Sequence, residues 1–399
     1  MNILAINGGK PIRDKYLPYG KQYIDDEDIK AVVNVLKSDY LTTGPMINKL
    51  EKNIADYVGA KYAVAFSNGT SALHGACYAA GIKQGDEVIT TPITFAASSN
   101  CVLYMRGTPV FADIDEKTFN IGVDEIAKKI TKRTKAIIPV DYTGQAVDLD
   151  SIKDLVRGTD IVIIEDGAHS LGTKYKGVRV GGLADMTMFS FHPVKTITTG
   201  EGGIITTNNK EYYSRLISFR SHCITRKIDQ LENKNAGGWY YEQMDLGFNY
   251  RMTDFQAALG ISQLKKIDRF ISRRKKIVEK YNEAFKNLDG IILKENAAFS
   301  DTVNHLYVLK LDLDKLNADR REIYDALIAE NIGVNVHYIP VYFHPYYRKL
   351  GYRKGLCPKA EKLYDALLTI PLFPAMTDDD IDDVINGVKK VINFYYKGE

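Results

Sequence analysis

Residues 161–170 read IVIIEDGAHS: four β-branched apolar side chains are followed by two adjacent carboxylates. Such a run predicts a strand buried inside a sheet, with Glu165 and Asp166 at its carboxyl end. The run lies within a longer alternation, from Ile47 to about Thr207, of short β-branched segments and helical patterns. Strands that alternate with helices indicate a mostly parallel sheet covered on both faces, so the predicted fold class is α/β.

The other segments of this alternation are assigned from the same two patterns. Short runs rich in β-branched or aromatic residues predict strands, and apolar residues at helical spacing predict helices. The predicted strands are Tyr62–Phe66, Glu87–Thr90, Pro109–Ala112 and Ala136–Val140, and the predicted helices are Ser71–Ala80 and Phe95–Tyr104. Ligands of parallel sheets bind beyond the carboxyl ends of the strands, so the polar residues that follow each strand are the candidates for function.

The C-terminal third of the chain predicts a smaller second domain. Thr253–Leu288 has one long helical pattern and predicts a connecting helix. After it we expect a strand near Leu306–Leu309, a helix near Arg320–Glu330, a strand near Val334–Val336 and a last helix near Asp379–Phe394. We therefore divide the chain into a large domain, residues 1–262, and a small domain, residues 263–399. The basic run 273–276 (RRKK) on the connector is interpreted as a solvated helix face rather than a polyanion site.

The composition is that of an ordinary globular protein: of 399 residues, 45% are hydrophobic and 26% are charged. The 53 Lys and Arg residues nearly balance the 50 Asp and Glu residues, so the net charge of +3 gives no reason to expect nucleic-acid binding. No stretch approaches the ~20 apolar residues of a membrane helix, and the N-terminal apolar run is too short for a signal peptide. The four cysteines form no CxxC pair, which argues against a zinc site or a disulfide framework and favours a cytoplasmic location.

Residues 67–71, SNGTS, join a predicted strand to a predicted helix. Gly69 permits a tight turn, and the hydroxyl groups and first-turn amides of such a segment converge on one point, which makes an anion site at a helix N-terminus. An ordinary helix N-cap is the alternative that this segment leaves open. After the next strand, Phe95 is suited either to lying flat on a ring bound in the cleft or to packing in the core.

The segment 188–203, MFSFHPVKTITTGEGG, predicts a strand, a loop with one lysine and a Gly-rich turn into another strand. A partly desolvated Lys195 in this place has a lowered pKa and acts as a nucleophilic amine, although a lysine considered alone is more often a surface residue. Asp166, at a buried strand end, either has a cationic or donor partner or caps a helix. An anion site, a strand-end carboxylate and an amine are together what pyridoxal phosphate requires for its phosphate, its ring nitrogen and its carbonyl carbon.

Several short segments, spread in the same order along nearly the whole chain, resemble those of the fold-type I pyridoxal-phosphate enzymes, specifically the DegT/DnrJ/EryC1/StrS sugar aminotransferases. These segments are residues 41–45 (LTTGP), 67–71, 165–166, the stretch around Lys195 and 247–251 (GFNYR). The resemblance implies a large domain with a mostly parallel seven-stranded sheet and a smaller α/β C-terminal domain. It is strongest for the branch that aminates a 4-keto sugar in pseudaminic acid biosynthesis, on residues 191–195 (FHPVK), 220–222 (RSH), 239–242 (WYYE) and 336–341 (VHYIPV).

The resemblance also implies roles for individual residues toward the cofactor. Lys195 would bind the cofactor covalently and then move a proton between two carbon atoms, and Asp166 would keep the pyridine nitrogen protonated. Phe95 would stack on the ring, and His169 would lie beside it. The phosphate would be bound at positions that match the phosphate site of the family, namely Gly69, Thr70, Ser71 and Ser190.

Three further residues are implicated in subunit sharing and in substrate binding. Asn249 matches a residue that the neighbouring subunit contributes, which implies a homodimer whose two chains build each site. His337 aligns with a histidine of the second domain near the substrate sugar and is a catalytic candidate. Arg251 is suggested to hold an anionic group of the amino donor or the nucleotide, with a structural ion pair as the alternative.

The resemblance implies an aminotransferase that moves the amino group of L-glutamate to C4 of a nucleotide-linked 4-keto-6-deoxy sugar. The specific substrate expected is UDP-2-acetamido-2,6-dideoxy-β-L-arabino-hexos-4-ulose, which gives UDP-4-amino-4,6-dideoxy-N-acetyl-β-L-altrosamine. The alternatives are another nucleotide 4-keto or 3-keto sugar, of bacillosamine, perosamine or aminoarabinose type, and a cofactor-binding regulator without turnover. A 3-dehydratase of the same fold has histidine in place of the lysine, so Lys195 argues against it. No metal ion is expected.

Overall fold

The computed structural model describes residues 3–398. Its strands are β1 Tyr62–Phe66, β2 Glu87–Thr90, β3 Thr108–Phe111, β4 Thr134–Ile138, β5 Val162–Asp166, β6 Lys174–Tyr175, β7 Val178–Arg179, β8 Met186–Ser190, β9 Gly203–Thr207, β10 Ile224–Thr225, β11 Glu242–Gln243, β12 Ile291–Leu293, β13 Ser300–Asp301, β14 Tyr307–Leu311 and β15 Leu367–Ile370. Its helices are α1 Asp26–Leu36, α2 Pro45–Val58, α3 Gly69–Ala79, α4 Ala97–Tyr104, α5 Val123–Ala127, α6 Leu149–Leu155, α7 Lys210–Phe219, α8 Asp254–Leu264, α9 Ile267–Phe285, α10 Arg320–Ala329, α11 Pro345–Lys349, α12 Pro358–Ala366 and α13 Asp378–Tyr395.

The large sheet has, among the described residues, seven strands in the order β1-β9-β8-β5-β4-β2-β3. All of its strands run parallel except β9, which is antiparallel to both of its neighbours. Alternate residues of β1 pack into different hydrophobic clusters, Ala63 and Ala65 into one, Val64 and Phe66 into the other. Because successive side chains of a strand point to opposite faces, both faces of the sheet are covered. The predicted α/β fold with a mostly parallel seven-stranded sheet is confirmed.

The strand ends bring the candidate residues to one edge of this sheet. Asp166, the last residue of β5, pairs with Met188 of β8, and Ser190 at the end of β8 pairs with Gly203. A side chain at position 203 would lie 2.6 Å from the backbone of Asn68, so glycine is what lets the turn after β1 approach this edge. The turn, the carboxylate and the lysine segment therefore lie together, as the strand-end rule predicts.

A second, antiparallel sheet in the order β12-β14-β15 packs against α9, α10 and α13. The hydrophobic cluster around it contains Ile277 of α9 and also Leu4 and Leu17 from the N-terminal segment. The first turn of α9 contributes Ile267 and Phe270 to the cluster of the large sheet instead. The division of the chain at residue 262 stays a prediction.

The single helix predicted over Thr253–Leu288 is wrong, because Lys265 and Lys266 separate α8 from α9. Lys266 is buried, and its Nζ lies 2.6 Å from a carboxylate oxygen of Asp25 and 2.7 Å from one of Asp28. A buried ammonium group needs such pairing. Its two partners lie at the start of α1, far away in the sequence, where Asp25 is the N-cap and Asp28 is in the first turn. Lysine has a good helix propensity, so the residues at the break give no sign of it, and the apolar periodicity continues across it.

The prediction of a solvated face for the basic run 273–276 is also wrong. Arg274 is 1% exposed, and its Nη1 donates hydrogen bonds to the carbonyl oxygens of His305, at 3.0 Å, and Leu372, at 2.9 Å. Its neighbour Arg273 is partly exposed and pairs with Asp378 at 3.0 Å. The run therefore joins α9 to the C-terminal sheet rather than facing water throughout.

The strand predicted at Val334–Val336 is a single bridge between Asn335 and Thr369 of β15. The two residues exchange backbone hydrogen bonds of 3.0 Å and 2.7 Å. The next amide, that of Val336, donates to Asn335 Oδ1 at 2.8 Å. This local side-chain bond competes with the ladder and ends the pairing after one residue.

Two predictions made from the amino-acid composition concern membrane-spanning helices and the cysteines. Among residues 3–398, no helix is both long enough and apolar enough to cross a membrane. The cysteines at positions 77, 101, 223 and 357 are buried free thiols.

Candidate active site

A cavity of about 870 Å³ lies at the carboxyl edge of the large sheet. This volume is within the range of small-molecule sites. The predicted site residues that line it are Gly69, Thr70, Ser71, Phe95, Asp166, His169, Ser190, Lys195 and His337. The structure therefore brings together residues predicted from five separate segments. Asn249 and Arg251 do not line it.

The turn after β1 begins α3 and forms one wall of the cavity. Asn68 is the helix N-cap: its Oδ1 accepts a hydrogen bond from the Ser71 amide at 2.8 Å, and Ser71 Oγ accepts one from the Asn68 amide at 3.2 Å. The amides of Gly69 and Thr70 have no acceptor within residues 3–398. A side chain added at Gly69 would lie 3.3 Å from Ser190 Cβ, so glycine keeps this space open. Unpaired amides at a helix N-terminus, next to the Ser190 hydroxyl, suit a phosphate group.

Asp166 ends β5 and is 4% exposed. Its Oδ2 accepts a hydrogen bond from Ser98 Oγ at 2.6 Å, and its Oδ1 accepts one from the Ala168 amide at 3.1 Å. Burial raises the pKa of Asp166, because the two hydrogen bonds and the positive charge of Lys195 only partly offset the loss of solvation. Within the described chain, no cation lies at ion-pair distance from it. A buried carboxylate without a counterion is costly, so this position fits a cationic ligand group such as a protonated pyridine nitrogen.

Lys195 lies on the loop that follows β8. The base of the loop is closed by two hydrogen bonds of 3.0 Å to the Phe191 carbonyl oxygen, from the Thr199 amide and the Thr198 hydroxyl. Burial lowers the pKa of Lys195 to about 8, although the negative charge of Asp166 acts in the opposite direction. The amine is therefore partly unprotonated near neutral pH, which makes it a nucleophile.

Two predicted histidines face the cavity as neutral rings. His169 Nε2 lies 3.1 Å from the Tyr338 hydroxyl, and His337 Nδ1 lies 2.9 Å from the Thr369 hydroxyl. Burial lowers the pKa of His337 to about 4 and that of His169 well below its usual value, and the positive charge of Lys195 acts in the same direction. Neutral imidazoles offer hydrogen-bond donors and acceptors to a ligand rather than charge.

Phe95 is not a core residue, since it is 64% exposed and lines the cavity. It precedes α4, which begins at Ala97 rather than at Phe95 as predicted. The ring centroids of Phe95 and Tyr338 are 6.5 Å apart. An exposed aromatic face in a cavity is free to stack on a ligand ring, and that role of Phe95 stays a prediction.

Asn249 and Arg251 lie on a segment that is held against the turn after β1. The Tyr250 carbonyl oxygen between them accepts a hydrogen bond from the Ser67 amide at 2.7 Å, and the Tyr250 amide donates to the Arg220 carbonyl oxygen at 3.0 Å. Asn249 is exposed, and Arg251 is half-buried without a carboxylate at ion-pair distance in the described chain. The contribution of Asn249 to a neighbouring subunit stays a prediction.

The cavity wall also contains residues that were not predicted from the sequence, and four of them contact predicted site residues: Tyr19, Ser98, His305 and Tyr338. Ser98 lies one helical turn after Thr94, whose hydroxyl is 2.7 Å from its own, and Tyr338 adjoins His337, so both were near sequence signals. His305 lies just before β14, outside the motifs on which the site prediction was based. Tyr19 gave no signal, because its ring contact with His337, 5.1 Å between centroids, exists only in the folded chain.

The cavity can hold pyridoxal phosphate with the residues present. Unpaired amides of α3 would bind the phosphate, Asp166 would neutralise the ring nitrogen, and Lys195 would bind the carbonyl carbon. Within residues 3–398, no group of three or more His, Cys, Asp or Glu side chains is arranged to hold a metal ion.

Comparison with known proteins also indicates a pyridoxal-phosphate aminotransferase, and the similarity extends over nearly the whole chain. The model of the DegT/DnrJ/EryC1/StrS aminotransferase family matches residues 22–389. The chain is 41% identical to the spore coat polysaccharide biosynthesis protein SpsC of Bacillus subtilis, covering 95% of this chain and 98% of SpsC. It is 36% identical to the UDP-4-amino-4,6-dideoxy-N-acetyl-beta-L-altrosamine transaminase of Campylobacter jejuni, covering 96% of this chain and 99% of that protein.

A solved structure extends the comparison to the cofactor. The PLP form of Spr1654 from Streptococcus pneumoniae is 31% identical and has a TM-score of 0.88, with 95% of this chain and 99% of that chain covered. The family model and the relatives match across the segments that build the cavity. The chain therefore belongs to the DegT/DnrJ/EryC1/StrS aminotransferase family, and its cofactor is pyridoxal 5′-phosphate.

Proposed function

We propose that this chain moves the amino group of L-glutamate to C4 of a nucleotide-linked 4-keto-6-deoxy sugar. The first candidate substrate is UDP-2-acetamido-2,6-dideoxy-β-L-arabino-hexos-4-ulose, with UDP-4-amino-4,6-dideoxy-N-acetyl-β-L-altrosamine as the product. The observation that carries the transamination is that one cavity contains an amine of pKa about 8 and a buried carboxylate that has no counterion among residues 3–398. The name of the Campylobacter jejuni relative supports the sugar.

A different nucleotide keto sugar is the second candidate, and one observation favours it. The chain is 41% identical to SpsC but 36% identical to the altrosamine transaminase, so identity does not single out the latter. The neutral histidines and tyrosines of the cavity wall suit the hydroxyl groups of many hexoses. Bacillosamine-, perosamine- and aminoarabinose-type 4-keto and 3-keto sugars therefore belong in the same assay.

In the proposed reaction the protein residues bind, orient and transfer protons. Pyridoxal phosphate, when bound, supplies an aldehyde and a ring that accepts an electron pair. Asp166 would hold a proton on the ring nitrogen, because two hydrogen bonds fix its carboxylate and no cation in the described part of the chain forms an ion pair with it. Lys195 Nζ would carry the proton from one carbon atom to the other during the amino transfer, a task for which a pKa of about 8 is well matched to neutral pH. His337 orients the sugar as a neutral hydrogen-bonding group.

We propose a homodimer in which Asn249 of one chain completes the phosphate site of the other, and we place it in the cytoplasm. The exposure of Asn249 supports the shared site, and so does the lack, within the described residues, of a carboxylate at ion-pair distance from Arg251. Mixing Lys195→Ala chains with Asn249→Ala chains tests it, because a mixed dimer has one site with both residues intact. Restored activity in the mixture is expected. Activity no higher than the sum of the two separate variants contradicts sharing.

The reaction is tested on the purified chain loaded with pyridoxal phosphate. L-Glutamate alone is expected to bleach the visible absorption band, whereas a regulator without turnover would keep it. Each UDP-, GDP- and dTDP-linked keto sugar is then added, and 2-oxoglutarate formation is measured. Borohydride trapping followed by peptide mapping should place the label on Lys195, with Lys52→Ala, an exposed lysine, as the matched control. A label on another peptide overturns the proposal.

A further inference from the structure

Two buried imidazoles in the cavity wall, those of His169 and His305, are in contact with each other, and the reaction as proposed does not explain this contact. His305 is 3% exposed and His169 is 4% exposed, and their ring centroids are 4.4 Å apart. The Nδ1 atoms of both rings are buried without a hydrogen-bond partner within residues 3–398. An unpaired buried nitrogen costs free energy, so two of them in adjacent rings are a feature that needs explanation.

The backbone of His305 is fixed on both sides. Its amide donates to the Thr143 carbonyl oxygen at 2.8 Å, and its carbonyl oxygen accepts a hydrogen bond from Arg274 Nη1 at 3.0 Å. Arg274 is fully buried and, in the described part of the chain, bonds to carbonyl oxygens rather than to carboxylates. These two hydrogen bonds, one at the amide and one at the carbonyl oxygen, fix the position of the His305 backbone. Its ring lines the cavity.

The tautomers of the two rings are linked by the hydrogen bonds available to them. Burial keeps the pKa of both histidines well below the usual value, so each ring is neutral and has one N–H donor and one acceptor nitrogen. His169 Nε2 lies 3.1 Å from the Tyr338 hydroxyl. When that phenol donates to Nε2, the proton of His169 must reside on Nδ1. The adjacent ring, that of His305, also has a buried Nδ1 without a partner within residues 3–398, which could accept that proton.

We propose that Tyr338, His169 and His305 form one hydrogen-bonded relay whose two imidazoles are held as complementary tautomers. Tyr338 donates to His169 Nε2, and a rotation of the rings lets His169 Nδ1–H donate to His305 Nδ1, a hydrogen bond that the two nitrogens do not make in this structure. His305 then presents Nε2–H to an oxygen atom of the bound ligand. The oxygen belongs either to the cofactor ring or to a sugar hydroxyl, and only this last step rests on the proposed function.

The relay is tested first in the full-length protein without cofactor. With ¹⁵N-labelled histidine, two-bond ¹H–¹⁵N correlations show which ring nitrogen carries the proton, and the chain has only 7 histidines to assign. The expected result is Nδ1–H on His169 and Nε2–H on His305. The same tautomer on both rings overturns the relay.

Variants separate hydrogen bonding from packing. His305→Phe keeps an aromatic ring but removes the acceptor, so His169 is expected to lose its fixed Nδ1–H tautomer. His305→Asn offers an oxygen in place of Nδ1, and His169 should keep that tautomer. His74→Asn is the matched control, because His74 is a buried imidazole bonded to Tyr250 at 3.2 Å outside the cavity lining. An unchanged His169 tautomer in folded His305→Phe contradicts the relay.

Binding measurements identify the ligand oxygen. His305→Asn keeps the relay but lacks the Nε2–H donor, so the affinity for one ligand should fall roughly tenfold. A fall for pyridoxal phosphate assigns the donor to the cofactor, and a fall for UDP-N-acetylglucosamine, used as an unreactive probe, assigns it to the sugar. Unchanged affinity for both overturns the donor role. Failure of the wild-type chain to bind pyridoxal phosphate would refute the proposed function instead and would leave the tautomer result intact.

Discussion

The lowered pKa of Lys195 predicts how fast the protein without cofactor captures pyridoxal phosphate at each pH. Only the unprotonated amine attacks an aldehyde, so the rate follows the fraction of Lys195 without a proton. With a pKa of about 8, that fraction is about 9% at pH 7. For an ordinary lysine with a pKa of about 10.5 it is about 0.03%, so burial raises the reactive fraction roughly 300-fold.

The assay follows the absorbance of the bound cofactor after mixing the cofactor-free chain with pyridoxal phosphate between pH 6 and 10. Dividing each rate by that of N-acetyl-lysine methylamide, corrected for its own ionisation, removes the titration of the aldehyde reagent. The rate should rise about tenfold per pH unit up to about pH 8 and then level off. Lys195→Ala should show no fast phase.

Asp166→Asn supplies an internal check on the physical cause. The negative charge of Asp166 raises the pKa of Lys195 against the effect of burial, so its removal should move the break in the profile to lower pH. A profile that keeps rising to pH 10 would show that Lys195 is an ordinary solvated amine. A break that moves upward in the variant would show that the charge of Asp166 does not act on Lys195.

Three further outcomes follow from the contacts of single residues. Asp166→Asn should raise the melting temperature of the cofactor-free chain, since it removes a buried charge that has no ion-pair partner in the described chain. Because the pKa of Asp166 is higher in the folded than in the unfolded chain, this increase in melting temperature should grow as the pH rises above about 4. The activity of the same variant should fall by about 100-fold or more. Gly69→Ala should leave thermal stability nearly unchanged but weaken pyridoxal phosphate binding, measured by fluorescence titration, because the new methyl group would lie 3.3 Å from Ser190 Cβ in the phosphate space. Arg274→Met should lower the free energy of unfolding, measured in urea, by about 3 kcal/mol, because the carbonyl oxygens of His305 and Leu372 lose their hydrogen-bond donor. The control Lys276→Met, at an exposed position of the same basic run, should change the free energy of unfolding by less than about 0.5 kcal/mol.

Strand ends were the part of the site that the sequence could predict. Runs that contain β-branched or aromatic residues mark β1, β5 and β8, and the carboxyl ends of these three strands, which run parallel, lie at one edge of the sheet. Asp166, Lys195 and the turn at Gly69 therefore had to lie near one another. The resemblance to a family added the roles of these residues but was not needed for their proximity.

Residues that arrive at the cavity through tertiary packing could not be predicted in the same way. Tyr19 belongs to an N-terminal segment whose Leu4 and Leu17 pack in the C-terminal cluster, and no local pattern encodes that path. Arg274 looks like one of four solvated basic residues because its carbonyl partners are 31 and 98 positions away. The break at Lys266 is hidden for the same reason, since its carboxylate partners lie on α1.

The separation of Asp166 from Lys195 is as important as their proximity. If the two side chains formed a direct ion pair, the lysine would stay protonated and the carboxylate would have no charge left for a ring nitrogen. Two features hold them apart: hydrogen bonds from Ser98 and Ala168 fix the carboxylate, and the hydrogen bonds at Phe191 close the base of the lysine loop. Within residues 3–398 the two groups accordingly influence each other only through their charges, as the opposing effects on the pKa of Lys195 show. Within the described residues the folded chain thus keeps a buried carboxylate and a half-buried amine unpaired, and a ligand that carries both an aldehyde and a basic ring nitrogen would satisfy them together.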